Sequence, residues 1–385
     1  MADETDRGAM ALALTQARRG EGFVEPNPMV GAVLIRDGRI LSIGHHAHFG
    51  GPHAEIMALE AAGEEAKGAV LYVTLEPCCH FGKTPPCADA IIQAGVSRVV
   101  AAVQDPFPRV NGGGFARLRR AGVEVESGLM EAEARRMLGP YLKRVTLGRP
   151  FVTAKWAMTL DGKIACANGD SRWISNERSR AMAHEIRGRM DAILIGIGTA
   201  LADDPELTAR PPGPRTALRV VIDAEAKLPI DGRLARTARE VPVLLAVNER
   251  APRHRVQALA DLGCEALAFP GSGRIPIPEL LDELGRRGHT NLLVEGGGDV
   301  LGSFLDADQI DAVEIFVAPK LEGGPAVHSP MRGRGLERMA QAHRLAWSTW
   351  IDHDGDLRIS GLLHRPWLAV EASSPGSPAI AGDLR

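Results

Sequence analysis

The stretch from His53 to Cys87 constrains this chain more than any bulk property does. It reads His53-Ala-Glu55, then a helical interval, then VLYVTLEPCCHFGKTPPC up to Cys87. His53, Cys78 and Cys87 suit zinc, a borderline-soft tetrahedral ion that takes imidazole and thiolate. Three protein ligands leave the fourth position for water, which is the arrangement of a catalytic rather than a structural site. For the three to meet, a helix start, a strand end and a second helix start must converge on one point. The interval reads as α, β, α.

Glu55 lies two residues after His53, within reach of that water without having to bind the metal. Zinc lowers the pKa of a bound water from about 15.7 to about 7. At roughly 1.36 kcal/mol per unit, hydroxide becomes about 12 kcal/mol easier to form. Glu55 can then carry a proton from the attacking hydroxide to a departing amine. His-x-Glu followed by Pro-Cys is the pattern of zinc-dependent deaminases. His-x-Glu alone recurs by chance, and two cysteines alone could be buried apolar residues or part of a structural zinc site. Cys79 and His80 compete as ligands, but using them would crowd one turn and leave Cys87 without a role. They rank second.

The surrounding pattern alternates helix and strand. Met10 to Arg19 reads as a first helix. Val30 to Ile35 and Arg39 to Ile43 read as strands joined at Asp37-Gly38, a type I′ turn signal. Gly-Gly-Pro breaks the chain before His53, which opens a helix running to about Ala62. Val70 to Leu75 is a buried strand delivering Cys78, and Pro85-Pro86 start a helix with Cys87 in its first turn. Strand 99–103, helix 115–121, strand 123–126 and a helix over 131–144 follow. This predicts a three-layer α/β/α domain with ligands beyond the carboxyl ends of its strands, where Cys78 and Asp105 fall. The first domain is expected over residues 1–147.

The spacing PCCHFGKTPPC, with PNPMVGAV at Pro26 to Val33, His46 before GGPHAE, and QDP at Gln104 to Pro106, resembles the deaminase half of the bifunctional riboflavin-biosynthesis deaminase/reductase family, RibD. The resemblance implies that Asn27, His46, Lys83 and Asp105 hold the pyrimidine, ribose and phosphate of the substrate. Two positions depart from the family pattern. Cys79 stands where serine is common, and DPFPRVNGGG carries Phe107 and Asn111 where many members read DPNPxVAG. Phe107 is therefore not carried over as a ligand.

After Gly148-Arg149-Pro150 a new strand pattern opens, giving a second domain over 150–365. Helix 177–187, strands 192–197, 218–222 and 241–247, helix 278–288, strand 291–295, a helix to about Leu305 and strand 312–318 follow. Gly196-x-Gly198 and Gly296 to Gly298 are only fragments of a dinucleotide fingerprint. The longer runs KWAMTLDGKIA, GDSRWIS, LADDPELTAR and LLVEGGG resemble the family's reductase half. That half is dihydrofolate-reductase-like and binds NADPH. By this resemblance Ser171, Arg187, Leu207 and Arg210 contact the sugar phosphate, Glu295 lies near the reacting carbon, and Lys155 and Asp161 assist it. Ala157, Trp173, Thr199, Asp203 and Gly296, Gly297 and Gly298 would contact NADPH. Residues 366–385, rich in Ser, Pro, Gly and Ala, are expected to be a disordered tail.

Bulk properties exclude other classes. A chain of 385 residues with 45% apolar content is globular and long enough for two domains. A net charge of −3 and 4% aromatic residues argue against a nucleic-acid partner. The acidic start lacks the order of a signal peptide, and no apolar run reaches the length of a membrane span. Five cysteines, three of them between 78 and 87, fit metal use in a reducing compartment, so a cytoplasmic location is expected. The expected partners are small pyrimidine ribosyl phosphates and further copies of the chain.

The expected activity is hydrolytic deamination of a diaminopyrimidinone ribosyl phosphate, followed by NADPH-dependent reduction of its ribosyl chain. A nucleoside or tRNA base deaminase with an unrelated appendage, and a structural zinc module fused to a nucleotide sensor, are the competing readings.

Overall fold

The computed structural model describes residues 4–82, 85–271, 273–324 and 328–368. It forms two compact units, divided between Leu147 and Gly148 and again between Arg365 and Pro366. Among the described residues no helix is long and apolar enough to cross a membrane.

The first unit runs α1 (Glu4–Ala17), β1 (Gly31–Arg36), β2 (Arg39–His45), α2 (Ala54–Ala62), β3 (Val70–Val73), α3 (Cys87–Gln93), β4 (Arg98–Ala101), α4 (Gly113–Arg120), β5 (Glu124–Ser127), α5 (Glu131–Met137) and α6 (Gly139–Leu147). Its sheet has the order β2-β1-β3-β4-β5. The β1 pairings are antiparallel, and β3, β4 and β5 are parallel. Asp37 and Gly38 both have positive φ, 53° and 74°, as a type I′ hairpin turn requires.

Two glycines show how the layers close. Gly31 pairs with His45, and Gly44 with Ala32, so the two glycines face opposite sides of the sheet. A Cβ on Gly31 would come within 2.0 Å of the Ala13 carbonyl oxygen, and one on Gly44 within 2.1 Å of the Ala54 carbonyl oxygen. Helix α1 thus packs on one face and α2 on the other. This is the expected three-layer α/β/α domain, and the contact at Gly44 presses the start of α2 against the sheet.

The second unit runs β6 (Phe151–Thr159), α7 (Glu177–Arg187), β7 (Ala192–Gly196), α8 (Ile197–Asp203), β8 (Leu218–Ile222), α9 (Arg233–Arg236), β9 (Val243–Asn248), α10 (Arg253–Asp261), β10 (Glu265–Phe269), α11 (Ile277–Arg286), β11 (Asn291–Val294), α12 (Gly298–Asp306), β12 (Ala312–Ala318), β13 (Leu345–His353) and β14 (Asp356–Leu363). Its nine strands have the order β10-β9-β8-β7-β11-β6-β12-β14-β13. Seven are parallel, and β14 and β13 close the sheet antiparallel. Apolar runs such as Ile193–Ile195 and Leu292–Val294 are buried, as strands covered on both faces must be.

Three expectations are corrected, and some elements were missed. The single helix over 131–144 is two helices, because Gly139-Pro140 cannot propagate the preceding one. The first helix starts at Glu4 and ends at Ala17, followed by a short 3₁₀ turn. The β13–β14 hairpin and the α10–β10 pair were not anticipated. Residues 366–368 are not tail: they form a 3₁₀ turn, Leu368 is 1% exposed, and Trp367 packs against the first unit's core. The rest of the expected tail lies outside the described residues.

Candidate active sites

In the first unit His53 is the N-cap of α2, Cys78 lies beyond the end of β3, and Cys87 is the first residue of α3. His53 Nδ1 is 3.2 Å from Cys87 Sγ and 3.6 Å from Cys78 Sγ. The three donor atoms all lie within 4.8 Å of one another. Ligands of a tetrahedral zinc at ordinary bond lengths stand about 3.6 Å apart, so the donor set fits that ion. The Cys87 N–H at the start of α3 donates to Cys78 Sγ at 3.3 Å. The Cys87 thiol also donates to Cys78, which holds the Cys78 thiol down at about 4 and pushes the Cys87 thiol up. Cys79 turns away to the Arg109 carbonyl, 3.6 Å from its Sγ. It is outside the cluster, as is His80.

Glu55 occupies the first turn of α2, buried at 3% exposure, and burial pushes its carboxyl above the ordinary range. It lines, with His53 and Cys78, a pocket of about 360 Å³. Asn27, His46 and Asp105 line the same pocket. His46 Nδ1 lies 2.8 Å from the Pro52 carbonyl oxygen and donates to it, which leaves Nε2 to accept from Asn27 Nδ2 at 3.1 Å. Burial lowers the His46 pKa, in keeping with a neutral ring. Asp105 accepts from the Phe107 N–H at 2.9 Å and from the Tyr141 hydroxyl at 3.0 Å, and burial pushes it up to about 6. Lys83 lies outside the described residues.

Sequence reasoning missed Glu76. Its carboxylate, 3% exposed, accepts from the backbone N–H groups of Asp105, Gly112 and Phe115 at 3.2, 3.0 and 3.1 Å. It thereby ties the end of β3 to the loop carrying Asp105 and to the start of α4. A charged residue directly after the expected strand 70–75 was the available signal. Tyr141 and Arg144 on α6 also line the pocket and were not anticipated.

In the second unit Thr199 lies just beyond β7, and Glu295 and the glycine loop just beyond β11, its neighbour in the sheet. Glu295 follows β11, and Arg187 ends α7. Arg187 donates to Glu295 through Nε at 2.6 Å and Nη2 at 2.5 Å, a forked pair. Burial would raise the Glu295 carboxyl, but Arg187 and Lys155 overcome it and hold it at about 2. Lys155 on β6 is pushed down by burial and lies 5.9 Å from the centre of the Phe316 ring. Lys155, Arg187 and Glu295 therefore form one charged cluster. Arg187, expected on phosphate, spends two of its donors on Glu295.

Thr199 and the glycine loop also meet: the Gly297 N–H donates to Thr199 Oγ1 at 2.9 Å. Gly296 has φ 109°, which favours glycine. Ser171 and Trp173 line a second pocket of about 180 Å³ with Thr159, Lys320 and Glu322. Asp161 caps the edge of that region, accepting from Thr159 Oγ1 at 2.7 Å and from the Gly323 N–H at 2.8 Å. Ala157 stands opposite Phe316 in the sheet, two residues from Lys155 and on the same face. Asp203 ends α8, its carbonyl accepting from Arg172 at 3.1 Å. Arg210 is exposed and paired with Glu206. The Leu207 side chain is core, 3% exposed, on a residue with φ 54°, so any contact it makes is through backbone.

Comparisons with known proteins agree with both halves. Residues 3–103 match the family model for the cytidine and deoxycytidylate deaminase zinc-binding region. Residues 150–351 match the RibD C-terminal domain, which answers the reading of an unrelated appendage. The riboflavin biosynthesis protein RibD of Aquifex aeolicus is 42% identical over 324 residues, 84% of this chain and 89% of that one. RibD of Escherichia coli is 39% identical over 354 residues, covering 88% and 94%. A solved Acinetobacter baumannii RibD superposes with a TM-score of 0.82 at 35% identity, covering 94% of this chain and 99% of that one. The Thermotoga maritima diaminohydroxyphosphoribosylaminopyrimidine deaminase/5-amino-6-(5-phosphoribosylamino)uracil reductase gives 0.78 at 36% identity, with the same coverage. This chain belongs to the RibD family, the bifunctional riboflavin-biosynthesis enzymes that join a zinc-binding deaminase domain to a reductase domain.

Proposed function

We propose that the first unit hydrolytically deaminates 2,5-diamino-6-(5-phosphoribosylamino)pyrimidin-4-one and that the second reduces the ribosyl chain of the product to ribityl with NADPH, in the cytoplasm. The observation that carries the reading is the His53, Cys78 and Cys87 cluster with buried Glu55 on the same pocket. Zinc held by those three ligands would supply a water activated near neutral pH. Glu55 takes the proton from that water on a carboxylate oxygen and passes it to the departing ammonia. Asn27 and His46, fixed by their mutual hydrogen bond, present polar edges to the pyrimidine, and Asp105 and Lys83 hold the ribosyl phosphate.

In the second unit NADPH bound along Ala157, Trp173, Thr199, Asp203 and Gly296–Gly298 would supply the reducing equivalents. Ser171 and Arg210 hold the sugar phosphate, with Leu207 contributing backbone and Arg187 its remaining edge. Lys155 offers a proton from Nζ to the opening ribose, and Glu295 keeps that ammonium oriented, with Asp161 fixing the neighbouring turn.

The test is to incubate purified protein with the deaminase substrate, with and without NADPH, and identify products by mass. Ammonia release without NADPH, and a ribityl product only with it, are expected. A reduced product without prior deamination would overturn the order.

A further inference from the structure

We propose that Arg144 is an anion-binding residue of the deaminase pocket and takes the phosphate of the ribosyl phosphate substrate, an inference that rests on the deaminase reading above. Tyr141, Arg144 and Val145 are spaced i, i+3, i+4 on α6, so they share one helix face. All three line the pocket that holds His53 and Glu55. His80 Nδ1 is buried without a partner, but two other polar groups of the pocket are already engaged. Tyr141 donates to Asp105, and Glu76 accepts three backbone N–H groups.

Arg144 is different. Its Nε is buried without a hydrogen-bond partner, and among the described residues no carboxylate pairs with its guanidinium. A buried donor left unmade is costly, and a cation without a counter-charge adds to the cost. Arg144 as a whole is half-buried and lines the pocket, so an entering phosphate would supply the missing counter-charge. The planar guanidinium matches phosphate geometry with parallel donors. A pocket of about 360 Å³ is also of the size that ligands of this class occupy. Phe107, which also lines the pocket, has no side-chain donor for an anion, so Arg144 would act beside Lys83.

A merely structural role would follow from its place in the last turn of α6, where a cation complements the helix dipole. Two substrates separate the roles. Ammonia release by full-length, zinc-loaded Arg144→Gln and Arg144→Lys is measured on the phosphorylated substrate and on the same compound after phosphatase treatment. Arg144→Gln should lose about 10- to 100-fold in kcat/KM on the phosphorylated form, chiefly through KM, and change little on the dephosphorylated form. Arg144→Lys should recover part of the loss, and inorganic phosphate should inhibit the wild type more strongly than Arg144→Gln.

Equal losses on both substrates, with a lowered melting temperature, would assign Arg144 to the helix end and overturn the proposal. Unchanged kinetics on both would also overturn it, leaving the deaminase reading intact. Failure of the wild type to release ammonia from either compound would instead overturn the deaminase reading itself.

Discussion

Replacing Glu295 with glutamine removes one negative charge from a place where two cations remain. Arg187 and Lys155 both face that carboxylate, whose side chain is 6% exposed, and Lys155 is half-buried. The carboxyl is held at about 2, against 4.5 for an ordinary glutamate. At roughly 1.36 kcal/mol per unit this corresponds to about 3 kcal/mol of stability at neutral pH. Removing one partner of a buried pair costs about 3–5 kcal/mol, which agrees. Lys155, already pushed down by burial, can give up its proton in the variant, so the loss should lie at the lower end.

Because the folded pKa is depressed, this stability is present above pH 4.5 and is lost as pH falls toward 2. The gap between wild type and variant should therefore be full at neutral pH and narrow in acid. Denaturant unfolding of wild type, Glu295→Gln, Arg187→Met and the double variant measures both the loss and the coupling. Reduction should be impaired and deamination retained. A loss under about 1 kcal/mol at neutral pH, the surface-pair range, or strict additivity in the cycle, would refute the reasoning.

Three further outcomes are expected. Cys87→Ser should lose zinc by metal analysis while Cys79→Ser retains it; the reverse would show that Cys79 is the ligand. Burial pushes Asp105 up to about 6 from 3.8, so its folded form keeps a proton that the unfolded chain releases. Wild-type stability relative to Asp105→Asn should then fall by about 3 kcal/mol as pH rises through that window, and a pH-independent difference in unfolding free energy would contradict the assignment. Gly44→Val should destabilise the first unit and weaken zinc retention, because even a Cβ there meets the Ala54 carbonyl oxygen at 2.1 Å; unchanged melting and zinc content would show that α2 can shift freely.

The cluster of His53, Cys78 and Cys87 was readable in the sequence because their residue types state their chemistry, and because glycine and proline marked the helix starts that present them. The Asp37-Gly38 hairpin was readable for the same local reason. Asp354-Gly355 carries the same signal, with φ of 62° and 93°, and the β13–β14 hairpin it joins could have been found from it. What stayed hidden depends on contacts distant in the chain. Glu76 is engaged by N–H groups 36 and 39 residues away. Arg187 meets a carboxylate 108 residues away, so its family role as a phosphate contact gave no hint of a forked ion pair. Leu207 shows the same limit, since neither its buried side chain nor its positive φ follows from LADDPELTAR.

The most direct test of two separate active sites is the Glu55→Gln enzyme, assayed for both reactions. Glutamine keeps the shape and one acceptor but carries no proton, and general acid–base catalysis is typically worth about 10²- to 10⁴-fold. Ammonia release should collapse by that factor while zinc stays bound, since Glu55 stands outside the ligand cluster. Given already deaminated substrate, the same protein should oxidise NADPH at close to the wild-type rate. Loss of NADPH oxidation on that substrate, in a variant that remains folded and zinc-loaded, would contradict two independent sites and require a single coupled one.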